Sequence, residues 1–218
     1  MTGYTLTQPE VWQAGPIAYQ AAGNATVGWV QAAGAVTTAQ ALVVSATGAS
    51  GAAGSYQPWL PAGFWQRQGQ HAIIKAHGLV SWVATAGTTI TWACGTSGST
   101  PQGTTTTVTA TNTFFTSQAY INNTTAQTNI PWHFELDLLC TKIGVGTTAV
   151  STSILTTGFG GFLAATSANT YFGPVLGNVI TTFDPSINQY VWWSVTFGTN
   201  ASASNTCTML NCYIYGMN

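Results

Sequence analysis

Charged side chains are almost missing from this chain of 218 residues. Glu10, Arg67, Lys75, Glu135, Asp137, Lys142 and Asp184 are all of them, 3% of the sequence. An ordinary globular domain carries roughly 25% Asp, Glu, Lys and Arg. With three cations and a net charge of −1 there is no basic face to neutralise phosphates, so nucleic-acid binding through charge is excluded. Scarce Glu and Lys likewise exclude long helices laced by ion pairs. Long apolar runs are missing too. Thr, Ser, Asn, Gln or Gly breaks every window of about 18 residues, which argues against a membrane-spanning helix. The N-terminal MTGYTLTQPEVW has neither a cationic start nor an apolar core, so no signal peptide is expected. No P-loop, dinucleotide fingerprint or nucleophile elbow occurs; no cofactor is implied, and the chain does not read as an enzyme. Its four cysteines lack the two-residue spacing of a metal site.

What is present is apolar and β-forming. Hydrophobic residues make up 45% and aromatics 12%, which excludes disorder driven by charge. Roughly one residue in six is Thr, a side chain that packs well on a pleated surface. A net charge of −1 gives little colloidal protection, since small soluble domains usually carry about 2 to 8. Thr-rich strands without gatekeeping charges are also prone to edge pairing. Both features predict a chain whose surface is covered, in an obligate oligomer or a larger assembly.

Two regions differ in composition. Residues 1–56 are rich in Ala, Gly, Gln and Thr and end in the Gly/Ser/Ala run 45–55, which reads as an N-terminal arm and flexible linker. Either the arm adds strands to the same domain or it crosses onto a neighbouring subunit. Residues 57–218 read as a succession of strands. In 71–83, Ala72, Ile74, Ala76, Val80 and Trp82 share one face, with His71, Lys75, His77 and Ser81 on the other. In 131–140, Trp132, Phe134, Leu136, Leu138 and Cys140 oppose His133, Glu135 and Asp137. Further strands are expected over 88–94, 189–197 and 206–215, with weaker ones near 104–109, 113–121, 148–157, 169–172 and 178–183; residues 95–104 read as a loop. The fold class predicted is all-β: an antiparallel, jelly-roll-like β-sandwich with an extended arm.

Candidate chemistry is sparse. Glu135 and Asp137, at i and i+2 on a strand, stand about 6.6–7 Å apart. That spacing suits either an inverting glycosidase pair or the wet face of an amphipathic strand, and the wet face is favoured. His133 extends the same row, which makes His133, Glu135 and Asp137 a conceivable cation site. His71 and His77 lie about 20 Å apart on a regular strand, too far to share a metal without a bulge or a second strand. Lys75 or Arg67 is expected to pair across strands with Glu135 or Asp137. Cys207 and Cys212, an odd number apart, should face opposite sides of one strand. Cys94 with Cys140 is sterically possible, but free buried thiols are expected. The Asn-X-Ser/Thr triplets at Asn24, Asn122, Asn123 and Asn200 are read as chance. Phe159-Gly-Gly-Phe162 is read as a bend. Trp59, Phe64, Trp65, Trp82, Trp92, Trp132, Trp192 and Trp193 serve a core, an interface or a sugar platform. Trp192 and Trp193 are expected on opposite sides of their strand, one in the core and one in a subunit interface.

Three stretches, in order, carry a resemblance. They are Gln57-Pro-Trp-Leu-Pro-Ala-Gly-Phe-Trp-Gln-Arg-Gln-Gly-Gln with the strand ending Ala76-His-Gly-Leu-Val, then Asn129-Ile-Pro-Trp-His-Phe-Glu-Leu-Asp-Leu, then Ser202-Ala-Ser-Asn-Thr-Cys-Thr-Met-Leu-Asn-Cys-Tyr. Over residues 57–218 the chain resembles virion structural proteins of tailed bacteriophages, chiefly those of actinobacteria. The resemblance implies a jelly-roll body on the virion surface, in the capsid-decoration or minor-tail class, assembled in the host cytoplasm. It implies a homotrimer and no catalytic residues. The function expected is therefore a trimeric capsid decoration or cement protein whose partners are its own copies and the major capsid protein. The alternative is a tail-associated domain that binds a receptor or glycan. Candidates for buried interfaces are Trp29, Leu42, Val43, Trp59, Trp65 and Trp192.

Overall fold

The computed structural model describes residues 10–13, 29–32, 41–42, 59–83, 89–98, 112–121, 125–144, 152–163, 170–174, 177–197 and 205–217. Among them are fourteen strands and no helix. They are β1 (Glu10–Gln13), β2 (Trp29–Ala32), β3 (Ala41–Leu42), β4 (Trp59–Leu60), β5 (His71–Trp82), β6 (Thr89–Ser97) and β7 (Asn112–Thr116). There follow β8 (Tyr120–Ile121), β9 (Gln127–Lys142), β10 (Thr152–Leu163), β11 (Thr170–Pro174), β12 (Val179–Phe183), β13 (Gln189–Phe197) and β14 (Thr206–Met217). The strand candidate near 104–109 lies outside the described residues.

Every pairing is antiparallel and the pairings are nested. β1 pairs with β14, β3 and β4 with β13, β5 with β9, and β6 with β7 and β8. First with last and inner with inner is the order of a long ribbon rolled into a sandwich, the jelly roll expected from the strand pattern. The roll closes through β5 on β14 and β6 on β13. One sheet, A, runs β1-β14-β5-β9-β10-β11, with β12 on β10 and β2 on β14. The other, B, runs β3-β13-β6-β7, with β4 on β13 and β8 on β6. The three described pieces of residues 1–56 therefore belong to the two sheets of their own chain. The expected boundary near 56 lies outside the described residues; β3 before it and β4 after it both pair with β13.

Hydrophobic alternation sets which way each long strand faces. β5 alternates half-exposed and buried residues along all its 12 positions, and β9 does so from Trp132 to Cys140. The inward sets interlock as aromatics. Trp92 of β6 meets Trp132, Phe134 and Phe162 of sheet A at ring-centroid separations of 6.4, 5.7 and 5.4 Å. Trp193 of β13 meets Trp132 and Phe134 at 6.1 and 5.7 Å. Each such ring removes about 150–250 Å² from water, on the order of 4–6 kcal/mol of gross stabilisation before ordering costs. Trp192 lies on the other side of β13, as alternation requires, and is nevertheless 1% exposed. Its ring crosses the cross-strand neighbour Gly95.

Two local expectations fail for identifiable reasons. Residues 95–97 continue β6 rather than opening a loop, because Gly95 leaves the space that the Trp192 ring and the Asn112 carbonyl occupy. Phe159-Gly-Gly-Phe162 is not a bend but the C-terminal part of β10. A Cβ at Gly160 would strike the Phe134 ring and the His133 carbonyl, so the glycine serves close strand packing.

The thiols correct a third expectation. The register of β14 shifts between Met209 and Asn211, and the extra residue reverses the alternation. Cys207 and Cys212 consequently both point inward and both are fully buried. Burial pushes each thiol up to about 12, against weak hydrogen bonds from Trp92 and Trp132 to Cys207 and from Trp193 to Cys212. Sulfur is a poor acceptor, and none of these three indole N–H groups has a conventional partner. All four cysteines are buried and free.

Gly95→Ala drives a methyl group into backbone and a packed indole, and should lower stability by about 1–3 kcal/mol. At Gly98 the added carbon meets only the tip of the exposed Ile187 side chain, so Gly98→Ala should cost distinctly less. Urea melts of the two variants compare them directly; equal losses would contradict the packing described for Gly95.

Candidate functional site

All three histidines of the chain, with three of its seven charged residues, lie on the outward face of sheet A. β5 contributes His71, Lys75 and His77, and β9 contributes His133, Glu135 and Asp137. The β5–β9 register sets His77 directly opposite His133 and Lys75 directly opposite Glu135. Tyr213 of β14 stands opposite Lys75 on the other flank.

Each polar group finds a partner across a strand boundary. Lys75 Nζ lies 2.7 Å from Glu135 Oε2, and His71 Nδ1 lies 2.9 Å from Asp137 Oδ1. Both pairs are partly exposed, so each is worth only about 0–1 kcal/mol. The hydrogen bond and charge of Glu135 hold Lys75 above the ordinary lysine range despite partial burial. His77 and His133 meet with Nδ1 atoms 3.1 Å apart and ring centroids 4.3 Å apart. One Nδ1 donates and the other accepts, which requires that at least one ring be neutral. The Tyr213 hydroxyl is 3.5 Å from His77 Nε2, and the exposed Phe159 ring packs 5.8 Å from His133.

Burial, then the charge of Lys75, pulls His77 below the ordinary histidine range, with Glu135 partly offsetting them. Burial and then His77 do the same to His133, helped by Lys75 and opposed by Glu135 and a hydrogen bond to the Ala76 carbonyl. The cluster is thus a neutral imidazole pair framed by one ion-paired carboxylate, Glu135, and one hydrogen-bonded carboxylate, Asp137.

The row expected from β9 alone, His133 with Glu135 and Asp137, is divided among three different partners on β5. Among the described residues no group of three or more His, Cys, Asp or Glu side chains comes close enough to hold a metal. His71 and His77 remain apart, as their spacing requires; the second strand brings His133, not His71, to His77. The anticipated cross-strand ion pair is present as Lys75 with Glu135. As glycosidase groups, Glu135 and Asp137 are each held by a cationic or hydrogen-bonding neighbour rather than presented to a substrate.

The interface candidates fare unevenly. Trp65 and Trp192 are 4% and 1% exposed, so both belong to the chain's own interior rather than to a surface open to a partner. The division of Trp192 and Trp193 between core and subunit interface fails for the same reason, since both are buried. Trp59 is 39% exposed and pairs in register with Tyr190. Trp29 and Leu42 fall in β2 and β3, and Val43 lies outside the described residues. Of the eight aromatics considered for sugar stacking, seven are buried and Trp59 alone is exposed.

No protein-family model matches the chain, and no curated protein does either.

Stability should fall on mild acidification in a way that depends on the imidazole pair. The native pKa values of His77 and His133 lie below the unfolded value, so the unfolded chain binds more protons near pH 6. The stabilisation is complete above about pH 6.5 and is lost as pH falls below it through the native values. A His77→Gln, His133→Gln double variant should show a shallower loss of melting temperature between about pH 7.5 and 5.5. An unchanged slope would mean that carboxylate titration alone governs this range.

Proposed function

We propose that this chain is a non-catalytic assembly protein, a jelly-roll subunit that decorates a phage capsid as a trimer and has its flanks covered by copies of itself and by the shell. One observation carries the assembly reading. The chain exposes 10659 Å² and holds seven charged residues, about one for each 1,500 Å², an area comparable to a whole standard interface. Patches large enough for stable association therefore exist without any charge to desolvate. Three of the seven charges, moreover, are engaged within the chain, by Lys75–Glu135 and His71–Asp137. Trp59, Phe159, Val179 and Ile187 add large apolar side chains to the surface. The assignment to a virion, and to the capsid within it, rests on the resemblance of the three sequence stretches.

The tail-associated, glycan-binding alternative retains one specific support, the exposed Trp59 beside Tyr190. Copy number separates the two readings: a decoration protein is present in hundreds per particle, a tail component in few.

Sedimentation of the full chain at low and high salt tests the assembly. The expected species is a trimer whose dissociation constant changes less than about threefold between 0.05 and 1 M NaCl, because screening acts only on charges. A monomer at about 100 μM, a concentration that saturates even weak contacts, would overturn the covered-surface reading. Trimers absent from the capsid in particle density would overturn its placement there.

A further inference from the structure

The histidine pair has a geometry that its place on a wet sheet face does not require. Its rings come from directly opposed positions on the two central strands, β5 and β9, so the backbone ladder fixes their separation. We propose that His77 and His133 form a cross-strand, two-imidazole site for a divalent transition-metal ion of the Cu(II) to Zn(II) class.

The distance supports this assignment. Metal–imidazole bonds of about 2.0–2.1 Å place two cis nitrogens about 2.9 Å apart at a right angle and about 3.4 Å apart at a tetrahedral angle. The Nδ1 atoms stand 3.1 Å apart, between those limits. Ligation needs neutral imidazole, and burial and Lys75 already favour that form at neutral pH. The hydrogen bond of His133 to the Ala76 carbonyl is the kind of outer contact that fixes the orientation of a ligating ring. Lys75 is the nearby charge that opposes a cation, and its contact with Glu135 neutralises it locally.

Two nitrogen ligands favour borderline ions over Ca(II) and Mg(II), with Cu(II) bound most tightly. Water completes the coordination, because no third His, Cys, Asp or Glu among the described residues converges on the pair. The four thiols are fully buried and do not compete. For both Nδ1 lone pairs to face the metal, the ring that donates through Nδ1 shifts its proton to Nε2. No net proton leaves the neutral pair, and binding weakens at low pH because protonation of either ring competes with the metal.

The test uses the full chain with Cu(II) alone in a non-coordinating buffer near pH 7.5. Electron paramagnetic resonance should show about one tightly bound ion coupled to two imidazole nitrogens. Zn(II) at tenfold over its dissociation constant should raise the melting temperature by about 3–6 °C. His77→Gln and His133→Gln should each weaken Cu(II) binding at least tenfold, whereas His71→Gln should leave it unchanged. The wild-type spectrum decides without any variant: coupling to one imidazole nitrogen or none overturns the site. Loss of binding in His71→Gln, or its survival in both of the other variants, overturns it equally.

Discussion

The antiparallel ladder between β5 and β9 fixes both the interior and the outer face of sheet A. Because side chains alternate with a period of two, a slip of one residue would turn Ile74, Phe134, Leu136 and Leu138 outward and carry Lys75, Glu135 and Asp137 into the core. Several kilocalories per mole per buried ion oppose that slip. The Lys75–Glu135 and His71–Asp137 contacts, worth about 0–1 kcal/mol each, are too weak to set the register. They follow from it. Burial of the inward set holds the ladder in place, and the outer cluster is assembled as a consequence.

The same hierarchy explains what could be read from sequence. The faces of β5 and β9 are legible, because a strict alternation of large apolar and polar residues admits one reading. The partners on the polar face are not. Which residue of β9 meets His77 depends on the register, and nothing in either strand alone singles out His133 over Asp137. In β14 the bulge after Met209 reverses the alternation, so parity assigns Cys207 and Cys212 to opposite sides when both face the core. Glycine misled in a different way. At Gly95 and Gly160 it makes room for the Trp192 and Phe134 rings from neighbouring strands, a tertiary cause that local turn statistics register as a break.

Residues 1–56 show the limit of composition. The arm is poor in large side chains, yet its described pieces β1 and β2 lie end to end along the edge of β14 and β3 lies along the edge of β13, while the expected linker 45–55 lies outside the described residues. Those partners lie at the far end of the chain. Backbone pairing at such separations needs little side-chain signal, since the edges of β13 and β14 supply the hydrogen-bonding template.

Tandem short strands recur on every described sheet edge, with β7 and β8 along β6 and with β11 and β12 along β10. Natural sheets commonly protect their edges with lysine or with strands too short to template a neighbour. Of the eight edge segments only β1 carries a charge, Glu10, and all are two to five residues long. Shortness therefore takes the role that charge usually plays. On the proposed assembly reading, this narrows the route by which such a neutral chain would associate. Interrupted edges disfavour open-ended strand addition, which leaves faces and loops as the closing surfaces. With three of the seven charges engaged within the chain, discrimination between the proposed partners would fall to shape and hydrogen bonding rather than to electrostatic complementarity.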